Sequence, residues 1–136
     1  GRAIMSWFAD IDAFVAENKG NAATAPFIEG LDKAKGTLQE ASMWLMQNGM
    51  QNPDNAGAAS TDYLQIFGLT ALAYMWAQMA VVAQKQVDAG STDPFYANKL
   101  MTGRYFVERI LPDARAHLKK LQSGAGVLME MPAEAF

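Results

Sequence analysis

The chain has few side chains that could carry out catalysis. His117 is its single histidine, and no cysteine occurs among the 136 residues. A serine triad would have to use this one imidazole as its base, and a cysteine nucleophile is excluded. His117 lies among basic residues in ARAHLKK, late in a predicted helix, where an imidazole suits the helix dipole. We interpret it as a solvent-facing or helix-end residue, and we predict no catalytic, cofactor-binding or metal-binding residue in this chain.

Charged side chains follow patterns that are typical of helix surfaces. Arg104 and Glu108, like Arg109 and Asp113, stand four residues apart, within reach across one helical turn. Between residues 99 and 120, six basic side chains outnumber two acidic ones, and this local charge of +4 could attract a phosphate-bearing ligand. A solvated helix face is the simpler interpretation. The net charge of -3 argues against a nucleic-acid-binding protein, whose affinity rests on cations.

Apolar residues recur at spacings of three and four, which predicts helices that position these groups. We place four helices at about residues 2–18, 25–49, 61–89 and 94–123. Gly20 and Gly90 are expected to end the first and third helices, and the fourth begins with Asp93 as N-cap and Pro94 at its first position. Pro112 lies inside the fourth helix and predicts a kink near residues 108–112, because it removes a backbone donor.

No segment shows the alternation of a strand, so the predicted fold class is all-α, an antiparallel four-helix bundle in a single domain. At 136 residues the chain is long enough to bury a core of its own. The tail, residues 124–136, is short, and we expect it to dock through Val127, Leu128 and Phe136. Its GAG tripeptide lacks the third glycine and the preceding strand of a dinucleotide loop, so we interpret it as a helix terminator.

The third helix contains YLQIFGLTALAYMWAQMAVVAQ, residues 63–84, which runs for 22 residues without a charge. Two sides of this helix are apolar. We assign one side to the core of the domain: Leu64, Gly68, Leu72, Met75, Trp76, Met79 and Val82. We predict that the other side points outward as a protein interface: Tyr63, Phe67, Thr70, Tyr74, Gln78 and Val81. An exposed aromatic face of this length exceeds the apolar patches of ordinary monomers, so something should cover it.

Two other interpretations of this helix stay open. The first is membrane contact: 22 apolar and uncharged residues are long enough to cross a bilayer, although Gln65 and Gln78 interrupt them, and the predicted outer face could instead attach peripherally to a membrane. The second is a free-standing helical binding module with a ligand between its helices, in a site lined by Met75, Trp76, Met79 and Trp44. Because three other amphipathic helices are predicted to pack on this one, we favour a core helix with a protein interface over both.

Two segments suggest a family. YLQIFGLTALAYMWAQMA and KLMTGRYFVERILPDARAHLKKLQSGAGVLMEMPAEAF resemble the extreme C-terminal domain of a group of bacterial FAD-dependent acyl-CoA dehydrogenases. An aromatic and an arginine before ERxLP, and an ending similar to MPAEAF, carry the resemblance. It covers essentially the whole chain, and the last 38 residues are its most specific part.

The resemblance implies that this chain is the accessory domain of a longer enzyme that oxidises an acyl-CoA to the 2,3-enoyl-CoA. In such enzymes the glutamate base and the FAD and CoA pockets belong to the preceding core domains, so Glu108 should not be that base and this domain alone should be inactive. Its expected partners are the catalytic core of the same chain and a second subunit, with an electron-transfer flavoprotein for the parent. The expected localisation is cytoplasmic, which the lack of cysteine also suits.

Overall fold

A computed structural model describes all 136 residues, Gly1–Phe136, and every regular element in it is helical. The main helices are α1 (Arg2–Asn18), α2 (Ala25–Asn48), α3 (Pro53–Asp88), α4 (Pro94–Tyr105) and α5 (Asp113–Gln122). A π-helical turn, Phe106–Ile110, follows α4 directly; the short α6 (Gly126–Glu130) and a 3₁₀ turn (Ala133–Ala135) complete the chain. The prediction of an all-α fold is confirmed.

The first two helices begin and end close to the predicted residues. Gly20 and Gly90 follow the ends of α1 and α3 with φ angles of 96° and 92°, in the left-handed region that glycine adopts without strain. At the start of α4, the Asp93 side chain accepts a hydrogen bond from the Phe95 N–H at 3.0 Å. Glycine and cap residues therefore marked these helix ends correctly.

The third helix starts eight residues earlier than predicted, at Pro53 instead of residue 61. Asn52 caps it by accepting a hydrogen bond from the Asp54 N–H at 3.1 Å, with proline in the first turn. The extra turns are held by tertiary contacts, since Ala59 is fully buried and Asn55 donates to the Asn48 carbonyl at 3.3 Å. Residues 53–60 lay outside the predicted helices, and they are helical because packing outweighs their turn-forming composition.

The predicted fourth helix is interrupted near Pro112. The Leu111 N–H bonds to the Phe106 carbonyl at 2.9 Å, a wider spacing than in an α-helix, and α5 starts after the proline. Proline has no N–H to donate, so a regular α-helical ladder could not continue through this position. A kink was predicted near residues 108–112, and the structure has an interruption there, preceded by a π-helical turn.

Two apolar clusters form the core. The larger one joins the C-terminal half of α1, the N-terminal half of α2, the C-terminal half of α3 and the start of α5, with Phe27 and Leu31 among its most buried members. The smaller one joins the opposite halves of the same helices, around Leu38, Ile66 and Leu118. α3 contributes to both clusters and is therefore the central helix of the domain.

The orientation of α3 is the reverse of the prediction. Thr70 is fully buried, and its Oγ1 lies 2.8 Å from the Ile66 carbonyl and 3.2 Å from that of Ala34, to either of which it can donate. The rest of the predicted outer face, apart from the exposed Gln78, packs on the two clusters: Tyr63, Phe67, Tyr74 and Val81. The predicted core face instead points outward, except for Trp76 and Met79, which are partly buried.

Side-chain size explains this reversal. The side of α3 that meets α2 carries small residues at helical spacing, Ala73, Ala77 and Ala80, and all three are buried. Small side chains let two helix backbones approach closely, and this approach brings the Thr70 hydroxyl within reach of a carbonyl on α2. Hydrophobicity could not choose between the two sides because both are apolar.

Candidate interaction surface

Along its solvent side, α3 presents a continuous apolar stripe. Leu64, Leu72, Met75 and Val82 expose 69%, 50%, 56% and 59% of their surface. Gly68 and the partly buried Met79 lie between them. In chain order, these six residues are separated by four, four, three, four and three positions, so they lie on one face of the helix. We call these six residues the α3 outer stripe. The stripe carries no charge, and no other part of the chain covers it.

Methionine is absent from the core. Eight of the nine methionines expose more than half of their surface, and the ninth, Met79, is partly buried. Methionine normally fills gaps inside proteins, and where it lines a surface it adapts to bound partners. This distribution indicates that the surface, and not only the interior, is built for apolar contacts.

A second apolar surface lies at the end of the domain where α1 begins and α2 ends. These two elements meet there, because Ile4 of α1 and Trp44 of α2 pack on the same cluster. The start of the tail is held at the same end, because the Ala125 N–H donates to Oδ1 of Asn55, near the start of α3, at 3.0 Å. We call the exposed apolar side chains at the start of α1, at the end of α2 and in the tail the end surface, and each is exposed by 57% or more. They are Met5, Met43, Met46, Met50, Val127, Leu128, Met129, Met131 and Phe136.

The tail contributes to this surface because it does not dock as predicted. Val127, Leu128 and Phe136 are exposed by 74%, 66% and 94%, so their predicted packing on the domain is wrong. α6 is held at its start, where Ala125 is buried and bonded to Asn55. Beyond that point its apolar side chains face solvent.

The single histidine is engaged inside the fold. His117 Nδ1 lies 2.8 Å from Asp62 Oδ1, with both side chains about four-fifths buried, and Lys120 Nζ lies 3.5 Å from the same oxygen. The expectation of a solvent-facing or helix-end imidazole was therefore wrong, since His117 also lies in the middle of α5. These contacts join α5 to α3, and no group of three or more acidic or histidine side chains is arranged to hold a metal ion.

Several basic residues of α4 and α5 are engaged by other side chains. Arg115 pairs with Glu40 at 3.0 Å and Arg104 with Glu108 at 3.0 Å, both at exposed positions where such pairs contribute little to stability. Lys99 lies over the Trp76 ring, 5.1 Å from its centroid. The predicted pair of Arg109 with Asp113 is not formed.

An open groove of about 890 Å³ separates α2 from the π-helical turn and α5. Gly30, Val107, Leu111 and Ala114 line it, and Lys33 and Arg115 are its cations. None of the four residues considered for an apolar ligand site, Met75, Trp76, Met79 and Trp44, lies in it. Trp76 packs on Phe106 with ring centroids 6.3 Å apart, whereas Trp44 packs on the other cluster, so the structure does not bring Met75, Trp76, Met79 and Trp44 together.

By length and composition α3 alone could cross a membrane. In its most apolar window, 39% of the residues are buried inside the fold. Central helices of soluble proteins satisfy the same criteria, so this observation alone is weak evidence for a membrane span.

Comparison with known families gives one result. The model of the family described as "Acetyl-CoA dehydrogenase C-terminal like" matches residues 7–132, which is nearly the whole chain. The chain belongs to this family. No curated protein matches its sequence. Membership in a family of acyl-CoA dehydrogenase C-terminal-like domains indicates an oxidoreductase parent and agrees with the resemblance seen in the sequence.

The sequence did contain a pattern that indicates which face of α3 is buried, but hydrophobicity alone does not identify it. The alanines that face α2 recur at spacings of three and four, as large core residues would. The exposed methionines carried no comparable signal, because methionine at helical spacing usually indicates a core. Both surfaces of this acyl-CoA dehydrogenase C-terminal-like domain therefore emerge only from the packing.

Proposed function

We propose that this domain is the C-terminal accessory and assembly domain of an FAD-dependent acyl-CoA dehydrogenase. In this proposal its helices form an antiparallel four-helix bundle, with α4 and α5 together as one kinked helix. The bundle packs on the catalytic core of the same chain or on a second subunit. The parent enzyme is cytoplasmic, oxidises an acyl-CoA to the 2,3-enoyl-CoA in fatty acid metabolism and passes electrons to an electron-transfer flavoprotein.

The observation that carries this proposal is the apolar end surface. Met46, Met50 and Leu128 are exposed by 73%, 87% and 66%. The segments that carry them are joined through Asn55, which donates to the Asn48 carbonyl at the end of α2 and accepts from the Ala125 N–H just before α6. Large contiguous apolar patches on a soluble domain mark contacts with other proteins or membranes. In the proposed parent the catalytic core precedes α1, so the tethered core lies at the same end as this surface.

FAD does not fit the residues of this chain. The groove beside the π-helical turn has no aromatic side chain in its lining and is open to solvent, and Arg115, one of its two cations, is already paired with Glu40. The glycine at residue 124 follows a helix instead of a strand, so it does not form a dinucleotide loop. In this proposal FAD and the oxidation step belong to the preceding core, and the domain alone has no turnover.

Methionine oxidation footprinting tests the proposal. The 136-residue chain and the full-length enzyme that the proposal requires, with a flavoprotein core before this domain, are exposed to dilute peroxide. Sulfoxide formation is followed by mass spectrometry. We expect Met5, Met46 and Met129 to react more slowly in the full-length enzyme, because the core covers them. Met101, exposed by 66% on α4, is the matched control and should react equally in both proteins.

Two outcomes would contradict the proposal. One is a reading frame that begins near Gly1, because the domain would then lack a catalytic core. The other is an equal oxidation rate of the end-surface methionines in the two proteins, because a docked core must shield them.

A further inference from the structure

We propose that the α3 outer stripe binds the α3 outer stripe of a second copy of this domain, with the two helices antiparallel. This inference deepens the proposed function, because it names the second subunit as the partner of one surface and leaves the end surface to the catalytic core. It concerns the stripe Leu64, Gly68, Leu72, Met75, Met79 and Val82.

The stripe is self-complementary only in the antiparallel direction. About a two-fold axis between Ala73 and Tyr74, Leu72 faces Met75 of the second copy, and Gly68 faces Met79. Leu64 then falls within one residue of a position facing Val82. Residues that pair reciprocally in this way are what a two-fold symmetric interface requires.

Gly68 makes a notch into which a large side chain can fit. A Cβ built on Gly68 would meet no atom within 4 Å, so no neighbour in the domain fills this space. In the antiparallel pair Met79 of the second copy enters the notch, and its flexible side chain can adapt to it. A parallel pair would place glycine against glycine and Met79 against Met79, which leaves a gap at one end and crowds the other. Antiparallel helix dipoles also favour the first arrangement.

The charge pattern permits two copies to meet without burying a charge. The uncharged stretch spans residues 63–84, and the flanking residues Asp62 and Lys85 lie outside the stripe. Asp62 is already engaged by His117 and Lys120. At the ends of the stripe the same axis pairs Thr61 with Gln86, two polar residues that tolerate a wet interface rim.

The area of the stripe suits a weak, symmetric interface. From the exposed fractions of its four large members, each copy presents on the order of 500 Å², so a pair would bury about 1,000 Å², near the lower limit for specific complexes. The isolated domain should therefore dimerise only weakly. Inside a larger enzyme, where other contacts hold two copies together, the effective concentration would make the pairing persistent.

Sedimentation velocity of the 136-residue chain measures this pairing directly. The protein concentration is varied from about 1 µM to about 1 mM, because small interfaces give weak affinities. We expect a concentration-dependent monomer–dimer equilibrium. Met75→Glu should raise the dissociation constant at least about tenfold, because it buries an unpaired charge in each copy. Met101→Glu is the matched control, exposed by 66% on α4, and should leave the constant unchanged. Circular dichroism verifies that both variants remain folded.

Cysteine cross-linking tests the direction, because the chain contains no cysteine of its own. A mixture of Gly68→Cys and Met79→Cys chains should form a disulfide-linked heterodimer under mild oxidation. Either variant alone should not, since two residues at the same position lie about 16 Å apart along an antiparallel pair, beyond the reach of a disulfide. Cross-linking of Gly68→Cys with itself would indicate a parallel pair and overturn the proposal.

Three other results would also overturn it. The first is a chain that stays monomeric at every concentration, which would show that it does not self-associate. The second is a dimer that is weakened by Met101→Glu but not by Met75→Glu, which would show that another face forms the contact. Binding of a monomeric chain to phosphatidylcholine–phosphatidylglycerol vesicles, lost in Met75→Glu, would assign the stripe to a lipid surface. These experiments use the domain alone, so their failure is distinguishable from failure of docking on the catalytic core, which the methionine footprint tests.

Discussion

Replacing one residue on each side of α3 would test the orientation of this helix. Phe67 stacks on Trp7 with ring centroids 5.1 Å apart and planes 9° apart, whereas Leu64 is exposed by 69%. Truncating a fully buried phenylalanine costs about 3–5 kcal/mol, and Phe67 is half-buried, so we expect Phe67→Ala to cost about 2–3 kcal/mol. Leu64→Ala should cost less than about 0.5 kcal/mol, because alanine is a good helix former and little burial is lost.

These free energies correspond to measurable shifts. A chain of 136 residues has an unfolding entropy of about 290 cal/mol/K near 60 °C, so Phe67→Ala should lower the Tm by about 9 °C and Leu64→Ala by less than about 2 °C. Urea unfolding followed by tryptophan fluorescence gives the free energies, at a protein concentration below that of self-association. A larger loss for Leu64→Ala than for Phe67→Ala would refute the orientation and restore the assignment made from hydrophobicity.

Three further substitutions test individual contacts by the same unfolding assay. Gly103→Ala should destabilise the domain by about 1–3 kcal/mol, because the added Cβ would lie 2.6 Å from the Phe27 ring; stability equal to or above that of the wild type would contradict this packing. Thr70→Val keeps the shape of the side chain but removes its hydrogen bond, and should cost about 1 kcal/mol; a stabilised variant would show that the bond is dispensable. Asn55→Ala should speed hydrogen exchange at the Ala125 amide, which bonds to its side chain; unchanged exchange there would refute the tether.

Local sequence signals predicted the fold where the chain's own chemistry decides the structure. Gly20, Gly90 and Asp93 marked helix ends because φ angle and capping depend on the residue itself. Pro112 marked the interruption for the same reason, since its missing donor acts wherever the helix packs. These predictions needed no knowledge of neighbouring helices.

Predictions that depended on packing partners were less successful. The turns before residue 61 have a loop composition, but Ala59 is buried and Asn55 is bonded to two other segments. The local sequence reveals neither the burial nor these hydrogen bonds. His117 faces inward for a similar reason, because Asp62 lies 55 residues away in sequence. The prediction for Val127 and its neighbours was wrong in the opposite direction, because residues expected to be buried are exposed. These tail residues are apolar enough to dock, yet they remain exposed, and the local sequence does not show which residues they could meet.

The reversal of α3 follows from a general property of helices with two apolar sides. The side carrying Ala73 and Ala77 allows close approach to α2 and is used for the interior, so the larger residues Leu72 and Met75 are left outside. Exposing them costs free energy in a monomer, because each keeps apolar surface in water that burial would remove. A second apolar face therefore stabilises the protein only when another surface covers it. Size separates the two faces of α3 where hydrophobicity does not: small residues specify contact within the domain, and large flexible residues beside a glycine notch suit contact between domains.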